Sequence, residues 1–298
     1  MPKTTPEVSG LDFSVIIPAY NESAAIGKVL RALCDEPALN NAEIIVVDDC
    51  STDGTDEIVR GFPQVRLQQH RMNKGYSSAI KTGTKASEGK YVIWYDADGQ
   101  HQVKDLVKVM TALKDHDLDY CIGVRNSKSH QDFERRLGKF LLSLAVQMTA
   151  GKHINDFNSG LRGFKREVLL RYLHLLPKGF GASTTTTLLM LERGYYGEEV
   201  PITVLKRVGK SSVRQLRDGY RTLTIITRLF LLFKPMKFFG SIGFLLLILG
   251  SAYGVERALT LRQGVPVLSA LIIILGIITI FIGLISDQIS NSRLERLE

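Results

Sequence analysis

Two carboxylates lie close together in the segment Asp96-Ala97-Asp98-Gly99-Gln100. Acidic side chains at positions i and i+2, directly after an apolar run, can converge on one hard cation. Mg²⁺ or Mn²⁺ takes one or two carboxylates together with substrate phosphates and water, and such an ion can neutralise a departing diphosphate. Because a capped surface turn explains the segment about equally well, its surroundings must distinguish the two interpretations.

A second acidic pair, Asp48-Asp49, follows another apolar run. A carboxylate at Asp49 can accept hydrogen bonds from a nucleotide base or a ribose. It can equally belong to a helix-capping turn, since Ser51 follows closely. His101 could approach a cation, but a histidine at this kind of position is more often hydrogen-bonded at the start of a helix. Both interpretations therefore stay open for each residue.

The elements that must position these residues alternate between strand and helix. Apolar segments predict strands at 13–17, 43–47, 91–95 and 120–124, and we place a further strand at 65–69. Helical patterns lie between them, among others at 74–86 and 103–113. This order predicts an α/β fold, a mostly parallel sheet with helices on both faces. Ligands of such sheets bind at the carboxyl ends of the strands, where Pro18, Asp48 and Asp96 fall.

The second half of the sequence is less regular. We predict a polar loop at 156–165, a strand at 198–205 and an amphipathic helix at 213–233 that lies in a membrane interface. Two charge-free runs follow, of 18 residues at 238–255 and 24 residues at 263–286. At about 1.5 Å per residue each can cross a hydrocarbon core of about 30 Å. Two buried core helices are the alternative.

The positive charge of the chain is local. The 298 residues carry a formal net charge of +8, and the nine basic residues and one acid between Lys206 and Lys237 account for all of it. Such a cluster favours anionic lipid head groups, at about 1 kcal/mol per basic residue. A nucleic-acid-binding protein would instead carry a basic face on its folded domain, so this class is excluded.

The charge distribution also predicts the orientation of the chain. The flank before the first apolar run is far more basic than the loop at 256–262, which places that flank and the C-terminus in the cytoplasm. Residues 1–10 contain no apolar segment of the kind a signal peptide needs, and three scattered cysteines suit a reducing compartment. We therefore predict a cytoplasmic α/β domain (1–210), a juxtamembrane amphipathic helix (211–236), two transmembrane helices (237–290) and a cytoplasmic tail (291–298).

Four segments occur in order, each at the end of a predicted strand: SVIIPAYNE at 14–22, VVDDCSTDG at 46–54, NKG at 73–75 and DADGQ at 96–100. As a set they resemble glycosyltransferase family 2, which has the GT-A fold, over roughly residues 13–205. The resemblance implies an enzyme in which Asp98 binds Mg²⁺ or Mn²⁺. It also implies a nucleotide-sugar site formed by Pro18, Ala19, Tyr20, Glu22, Asp49, Lys74, Asp96 and Ala97.

Further segments resemble the polyprenyl-phosphate branch of that family, which includes dolichol-phosphate mannose synthase. They are GVR at 123–125, RR at 135–136, DFNSGLR at 156–162, VPI at 200–202 and RVGKS at 207–211. The resemblance implies that Gln100 joins the metal shell and that Arg125 and Arg136 face the donor and acceptor phosphates. Arg207 and Ser211 would belong to a late loop that closes over the site. The catalytic residues would thus be Asp98, Arg125, Arg136 and Arg207.

Structural roles are the alternatives for two of the arginine positions. The Arg135–Arg136 pair would also suit a solvated helix face. For Arg162 we predict a structural bridge to Asp156 rather than a catalytic role.

The sequence departs from the family at one position. Many family 2 enzymes place an acid ahead of the helix that here begins Ser183-Thr184, and that acid serves as base for a sugar hydroxyl. A phosphate acceptor is already ionised at pH 7 and needs no strong base; positioning and charge neutralisation suffice. A shifted acid, Asp156 or Glu192, would weaken this argument.

The sequence thus predicts inverting transfer of a single hexose-type sugar from a nucleotide sugar to a polyprenyl phosphate, dolichyl or undecaprenyl, at the cytoplasmic membrane face. One alternative is a membrane glycosyltransferase that acts on a sugar hydroxyl or another lipid acceptor. A second is an inactive nucleotide-sugar-binding scaffold. The sugar, the choice between UDP and GDP, the prenyl chain and homo-oligomerisation stay open.

Overall fold

The computed structural model describes residues 10–125, 156, 159–177, 179, 181–205, 224, 227–228, 231–261 and 264–295. Arg135, Arg136, Arg207, Ser211 and most of the predicted interfacial helix lie outside these residues. The chain divides into two compact units, one built around a sheet and one containing the two apolar C-terminal helices.

Seven strands form the sheet of the first unit: β1 (Phe13–Ala19), β2 (Ala42–Asp48), β3 (Val65–Gln69), β4 (Tyr91–Trp94), β5 (Tyr120–Arg125), β6 (Arg162–Lys165) and β7 (Gly197–Ile202). Their order across the sheet is β3-β2-β1-β4-β6-β5-β7. Strand β6 runs antiparallel to β4 and β5, and the other pairs are parallel. The predicted mostly parallel α/β sheet is confirmed.

The described residues of this unit form six helices: α1 (Ser23–Cys34), α2 (Thr55–Arg60), α3 (Tyr76–Ala86), α4 (Val103–Asp115), α5 (Arg166–Tyr172) and α6 (Ala182–Glu192). Short 3₁₀ turns lie at Pro37–Leu39 and Leu173–Leu175. On α1 the apolar residues Ile26, Leu30 and Leu33 share one face and are fully buried, as helical spacing requires. Strands β1 and β4 are buried along their whole length, because layers cover both faces of the sheet.

The prediction of a loop at 156–165 is wrong for its last four residues, because these form strand β6. Arg162 lies opposite Trp94 of β4 and Ile122 of β5 in the strand register. The four residues Arg-Gly-Phe-Lys contain neither an apolar run nor an alternating pattern, so the strand follows from pairing with its neighbours. The strand predicted at 198–205 ends earlier, at Ile202.

The second unit contains an antiparallel pair of long helices, α7 (Pro235–Leu261) and α8 (Val267–Glu295). Close contacts join Gly243 to Gly276 and Gly254 to Ser269, and the Ser269 hydroxyl donates to the Gly250 carbonyl over 2.7 Å. Both helices are long and apolar enough to cross a membrane, with mean hydropathies of 1.9 and 3.0.

Candidate active site

The loop after β4 holds its acidic residues in a tight turn. Asp98 is only 8% exposed, its Oδ1 accepts the backbone N–H of Gln100 over 3.0 Å, and Gly99 adopts a φ of 72°. This left-handed conformation is easily reached by glycine alone. The turn therefore fixes the Asp98 carboxylate relative to the Gln100 backbone.

The Gln100 side chain is also fixed. Its amide nitrogen donates to the Leu205 carbonyl over 3.1 Å, and the Leu205 N–H donates to the Gln100 carbonyl over 2.9 Å. The amide oxygen of Gln100 is thus left as the group that could bind a metal. The sequence predicted this pairing of Asp98 and Gln100 at one strand end, and the structure brings them together.

These two oxygen donors fit a hard divalent cation. Among the described residues, no group of three or more His, Cys, Asp or Glu side chains could hold a metal by itself. A carboxylate and an amide oxygen suit Mg²⁺ or Mn²⁺ if substrate phosphates and water complete the coordination. The donor set therefore fits an ion that binds together with a nucleotide diphosphate.

Asp96 is surrounded by protein groups. Its Oδ1 accepts the Tyr76 hydroxyl over 3.1 Å, and its Oδ2 lies 3.4 Å from Nε2 of the buried His101. A Cβ on Gly160 would overlap this carboxylate, so the backbone approaches it very closely. Burial, followed by the charge of Asp96, raises the pKa of Tyr76, which keeps the phenol protonated as a donor.

Asp49 connects the ends of β2 and β3. Its two carboxylate oxygens accept the backbone N–H groups of Lys74 and Gly75 over 2.8 and 2.7 Å. Oδ1 also lies 2.6 Å from Nδ1 of His70, whose Nε2 lies 2.8 Å from the Thr82 hydroxyl. The predicted nucleotide-binding residues Asp49 and Lys74 are therefore adjacent, and in this structure Asp49 fixes the backbone of the loop that contains Lys74.

The predicted residues after β1 lie beside those after β2. Asp49 N–H donates to the Ala19 carbonyl over 2.8 Å, and Glu22 N–H donates to the Thr55 hydroxyl over 2.9 Å. Tyr20 is 46% exposed, which leaves its ring accessible. Pro18 pairs with Val47 in the sheet, so its backbone is fixed by both strands.

Asp53 adds hydrogen bonds between the loop after β1 and the loop after β2. It accepts the N–H of Ser23 over 3.0 Å and the hydroxyl of Thr55 over 2.5 Å. Burial alone would raise the pKa of Asp53, but these hydrogen bonds outweigh it and lower the pKa to about 2. The carboxylate is therefore a permanent acceptor that holds the loops together.

Asp156 forms an ion pair with Arg125. The prediction that Asp156 pairs with Arg162 is therefore wrong. Nε of Arg125 donates to Oδ2 over 2.6 Å and Nη2 donates to Oδ1 over 2.7 Å. Burial would raise the pKa of Asp156, but Arg125 outweighs it and the pKa is lowered. The same carboxylate raises the pKa of Arg125. A bidentate pair of this kind fixes the guanidinium in one orientation.

Arg162 is fully buried below the carboxyl end of β4. It donates to the Ser159 and Ser183 carbonyls, at 2.9 and 2.6 Å, and to the hydroxyls of Thr186 and Thr187. Its guanidinium carbon lies 5.9 Å from the centre of the Trp94 ring. Burial lowers the pKa of Arg162 to about 10, so it stays charged at neutral pH.

Three residues of this arrangement were missed by sequence reasoning: His70, Tyr76 and Gly160. Tyr76 directly follows the Asn73-Lys74-Gly75 segment, and that position is the one signal that could have identified it. Gly160 lies in the DFNSGLR segment, but neither its approach to Asp96 nor the contact of His70 with Asp49 could be predicted, because both depend on contacts between distant segments.

Comparison with known proteins gives the family. Residues 14–173 match the model of glycosyl transferase family 2, and residues 234–292 match the model of the GtrB C-terminal hairpin. The chain belongs to glycosyl transferase family 2 and is a glycosyltransferase. The hairpin match and the two apolar helices indicate a membrane protein with two spans.

Similar proteins include glycosyltransferase AglJ of Haloferax volcanii, 28% identical over 95% of both chains. Another is the UDP-N-acetylglucosamine–dolichyl-phosphate N-acetylglucosaminyltransferase of Methanococcus voltae, 30% identical over 52% of this chain and 70% of that protein. The dolichyl-phosphate beta-glucosyltransferase of Dictyostelium discoideum is 30% identical over 55% of this chain and 57% of its own.

Among solved structures, glucosyl-3-phosphoglycerate synthase from Mycobacterium tuberculosis, in complex with Mn²⁺, UDP and phosphoglyceric acid, has a TM-score of 0.59. It is 19% identical and covers 74% of this chain and 78% of its own. The likeness confirms the GT-A fold. The assignment of individual site residues, including the nucleotide and metal ligands, stays a prediction.

Proposed function

We propose that this protein transfers a single sugar from a nucleotide sugar to a polyprenyl phosphate at the cytoplasmic face of a membrane, with inversion at the anomeric carbon. Relatives that share the catalytic domain are named for transfer to dolichyl phosphate. The chain itself combines a family 2 domain with an apolar hairpin, which suits an acceptor that resides in a lipid bilayer.

The start of α6 carries the argument for a phosphate acceptor. In place of an acid it has five hydroxyl residues in succession, Ser183 to Thr187, all buried. The hydroxyls of Thr186 and Thr187 hold the buried Arg162. A sugar hydroxyl acceptor must lose a proton to a base, whereas a phosphate oxygen is already a nucleophile at pH 7. This region therefore suits a phosphate better than a hydroxyl.

The two shifted acids do not fill the position of that base. Asp156 has both oxygens bonded to Arg125, and its lowered pKa makes it a weak base. Glu192 ends the 11-residue helix α6, about 15 Å along the axis from its start. Between these two the sequence contains one other acid, Glu167, which lies exposed on α5.

Each group of residues then has a role. Asp98 and Gln100 would hold Mg²⁺ or Mn²⁺, which would neutralise the charge of the departing diphosphate. The nucleotide sugar would lie against Pro18, Ala19, Tyr20, Glu22, Asp49, Lys74, Asp96 and Ala97. Arg125, fixed by Asp156, would orient a phosphate at low cost in reorganisation. By resemblance alone, Arg136, Arg207 and Ser211 would complete the contacts to the acceptor phosphate.

A donor and acceptor screen tests the proposal. Purified full-length protein would receive UDP- or GDP-linked sugars, Mn²⁺ or Mg²⁺, and either a short polyprenyl phosphate or a lipid-linked sugar with free hydroxyls. We expect a sugar–phosphate–lipid product with inverted anomeric configuration by NMR, and no product after chelation of the metal.

Asp98→Ala should lower product formation by roughly 10³-fold or more, since a residue that stabilises charge in the transition state is lost. Asp115→Ala, an exposed acid at the end of α4, is the matched control and should keep full activity. Product from the hydroxyl acceptor alone would support the alternative enzyme. Nucleotide binding without any transfer would support the inactive scaffold.

A further inference from the structure

The 203–205 segment, which directly follows β7, is hydrogen-bonded to the loop after β4 at both of its ends. Thr203 N–H donates to Oδ2 of Asp105 over 3.0 Å, and its carbonyl accepts the Gln102 side-chain amide over 3.2 Å. Leu205 exchanges two hydrogen bonds with Gln100, one from the backbone and one from the side chain. Four hydrogen bonds thus join Thr203 and Leu205 to three residues about one hundred positions earlier, Gln100, Gln102 and Asp105.

The polar side chains that make these contacts flank the start of helix α4, and each has a polar atom that is bonded to the 203–205 segment. Gln102 occupies the position before the helix, but its side chain makes no capping hydrogen bond. Asp105 is 1% exposed in the first turn, and its second oxygen pairs with Lys108 over 2.6 Å. Both side chains are therefore directed to the 203–205 segment, where they satisfy its backbone groups.

Gln100 links this contact to the metal site. Its amide nitrogen is bonded to the Leu205 carbonyl, and its amide oxygen is the group proposed to bind the metal. Because an amide is planar, a metal that fixes the oxygen also fixes the nitrogen that holds Leu205. Conversely, a displaced Leu205 would allow the amide to rotate away from the metal.

We propose that Gln102 and Asp105 are positioning residues that hold the 203–205 segment against the metal-binding loop. Through Gln100, metal binding and ordering of this segment then favour each other. This inference rests on the proposed function, since it requires a metal at Asp98 and Gln100. Coupling between two such events is reciprocal by thermodynamic necessity, so each side can be measured separately.

Two variants form a matched pair. Each removes one contact that a residue flanking α4 makes, either with β7 or with the 203–205 segment after it. Gln102→Ala removes the bond to Thr203 beside the metal loop. His116→Ala removes the contact of His116 with Glu198, 3.0 Å long, at the opposite end of α4. The Gln102 side chain makes no capping hydrogen bond, and His116 caps α4 through its backbone N–H, which alanine retains; both variants should therefore fold. Gln102→Glu is a second test, because its carboxylate would face the Thr203 carbonyl without a proton to donate.

The measurements use full-length protein in detergent. Mn²⁺ binding is followed by the EPR signal of the free ion in the presence of UDP or GDP, with protein-free nucleotide as the blank. Hydrogen exchange of the Thr203 and Leu205 amides is followed by mass spectrometry with and without Mn²⁺. We expect Mn²⁺ to slow exchange of both amides in the wild type and in His116→Ala.

In Gln102→Ala and Gln102→Glu we expect Mn²⁺ binding to weaken by about 5-fold, the size of a modest coupling, and the protection of the two amides to decrease. Equal Mn²⁺ affinity in all variants would overturn the inference while the metal site stands. Equal weakening in Gln102→Ala and His116→Ala would also overturn it, because the effect would then be general. A wild type that binds no Mn²⁺ would overturn the metal site of the proposed function itself.

Discussion

Several charged side chains around the loop after β4 have fixed partners within the protein. Asp49 is held by two backbone N–H groups, Asp96 by Tyr76, and Arg125 by Asp156. Groups that are oriented before the substrate arrives need not reorganise during the reaction. Each pair also has to remain in the correct charge state. The pH dependence of protein stability therefore tests whether the pairs form as described.

Asp156→Asn should destabilise the protein in a pH-dependent way. At neutral pH the variant leaves the Arg125 guanidinium without its charged partner, at a cost of about 3 kcal/mol. The pKa of Asp156 is lowered in the folded state, so its contribution is fully present above the ordinary value of about 3.9 and is lost as the pH falls below it. Thermal melting from pH 7 to pH 3 measures this.

The melting temperatures of wild type and Asp156→Asn should therefore differ most at neutral pH, and the difference should begin to shrink below about pH 4 and continue to shrink as the pH falls towards the lowered pKa of Asp156. Asp115→Asn, at an exposed position, should match the wild type at every pH. A difference for Asp156→Asn that persists unchanged at pH 3 would show that the ion pair is not its cause.

At the level of elements, the two apolar helices pack through glycines. A Cβ on Gly243 would lie 2.7 Å from the Gly276 carbonyl oxygen, and a Cβ on Gly276 would lie 2.9 Å from the Gly243 carbonyl oxygen. Backbone approaches of this kind need small residues in membrane helices. A Cβ on Gly240, one turn earlier on α7, would meet the end of the Met236 side chain at 3.7 Å, an ordinary van der Waals distance, and no backbone atom of α8.

Gly243→Ala should loosen the pair of helices, whereas Gly240→Ala should not. The first methyl group would meet backbone that cannot move without separating the helices, at a cost of about 1–3 kcal/mol. Both variants gain the same helix propensity, so they are matched in composition. Titration of the detergent-solubilised protein with SDS, followed by circular dichroism, should show an earlier transition for Gly243→Ala alone. An equal shift in both variants would contradict the packing.

The elements differ in how far the sequence could predict them. Strand β3 was predicted at its observed bounds, and β1, β2, β4 and β5 to within two residues at either end. The latter four contain the continuous apolar runs that buried strands give, whereas β3 has the mixed sequence Val-Arg-Leu-Gln-Gln. Strand β6 was missed because its four residues carry a buried arginine, whose partners Ser183 and Thr187 lie in another element. Pattern reading detects burial of apolar groups, and it misses burial of a charge.

The site residues likewise include features that the sequence could predict and features that it could not. The positions of Asp49, Asp96 and Asp98 at strand ends could be predicted, since parallel strands place their carboxyl ends at one edge. The contacts that fix these residues could not, because His70, Tyr76 and Leu205 approach them only after the chain folds. The resemblance to a family predicted the reacting groups but not the residues that support them.

At the scale of the whole molecule, the two units suit different solvents. In the sheet unit most large apolar side chains are buried, whereas α7 and α8 expose side chains such as Phe244, Leu249 and Phe281. Large exposed apolar surfaces of this kind indicate contact with lipid. The basic residues between Lys206 and Lys237 precede α7 in the sequence, and from this position we predict which side of the membrane each end occupies.

Cysteine labelling tests the predicted orientation. The native cysteines Cys34, Cys50 and Cys121 would be replaced by serine, and single cysteines introduced as Gly264→Cys or Ser292→Cys. Gly264 lies between the two helices with no heavy atom near its Cβ position, and Ser292 is exposed near the end of α8. Both sites can therefore accept a thiol without steric conflict.

In intact cells a membrane-impermeant maleimide should label Gly264→Cys and leave Ser292→Cys unmodified until the membrane is permeabilised. The physical reason is that basic residues are retained on the cytoplasmic side, and two spans return the C-terminus to the side from which the first span began. The opposite labelling pattern would place the nucleotide-sugar site outside the cytoplasm, where nucleotide sugars are not made, and the proposed reaction would then have no donor supply on that side. Labelling of both sites from outside would instead show that α7 and α8 do not form two complete spans.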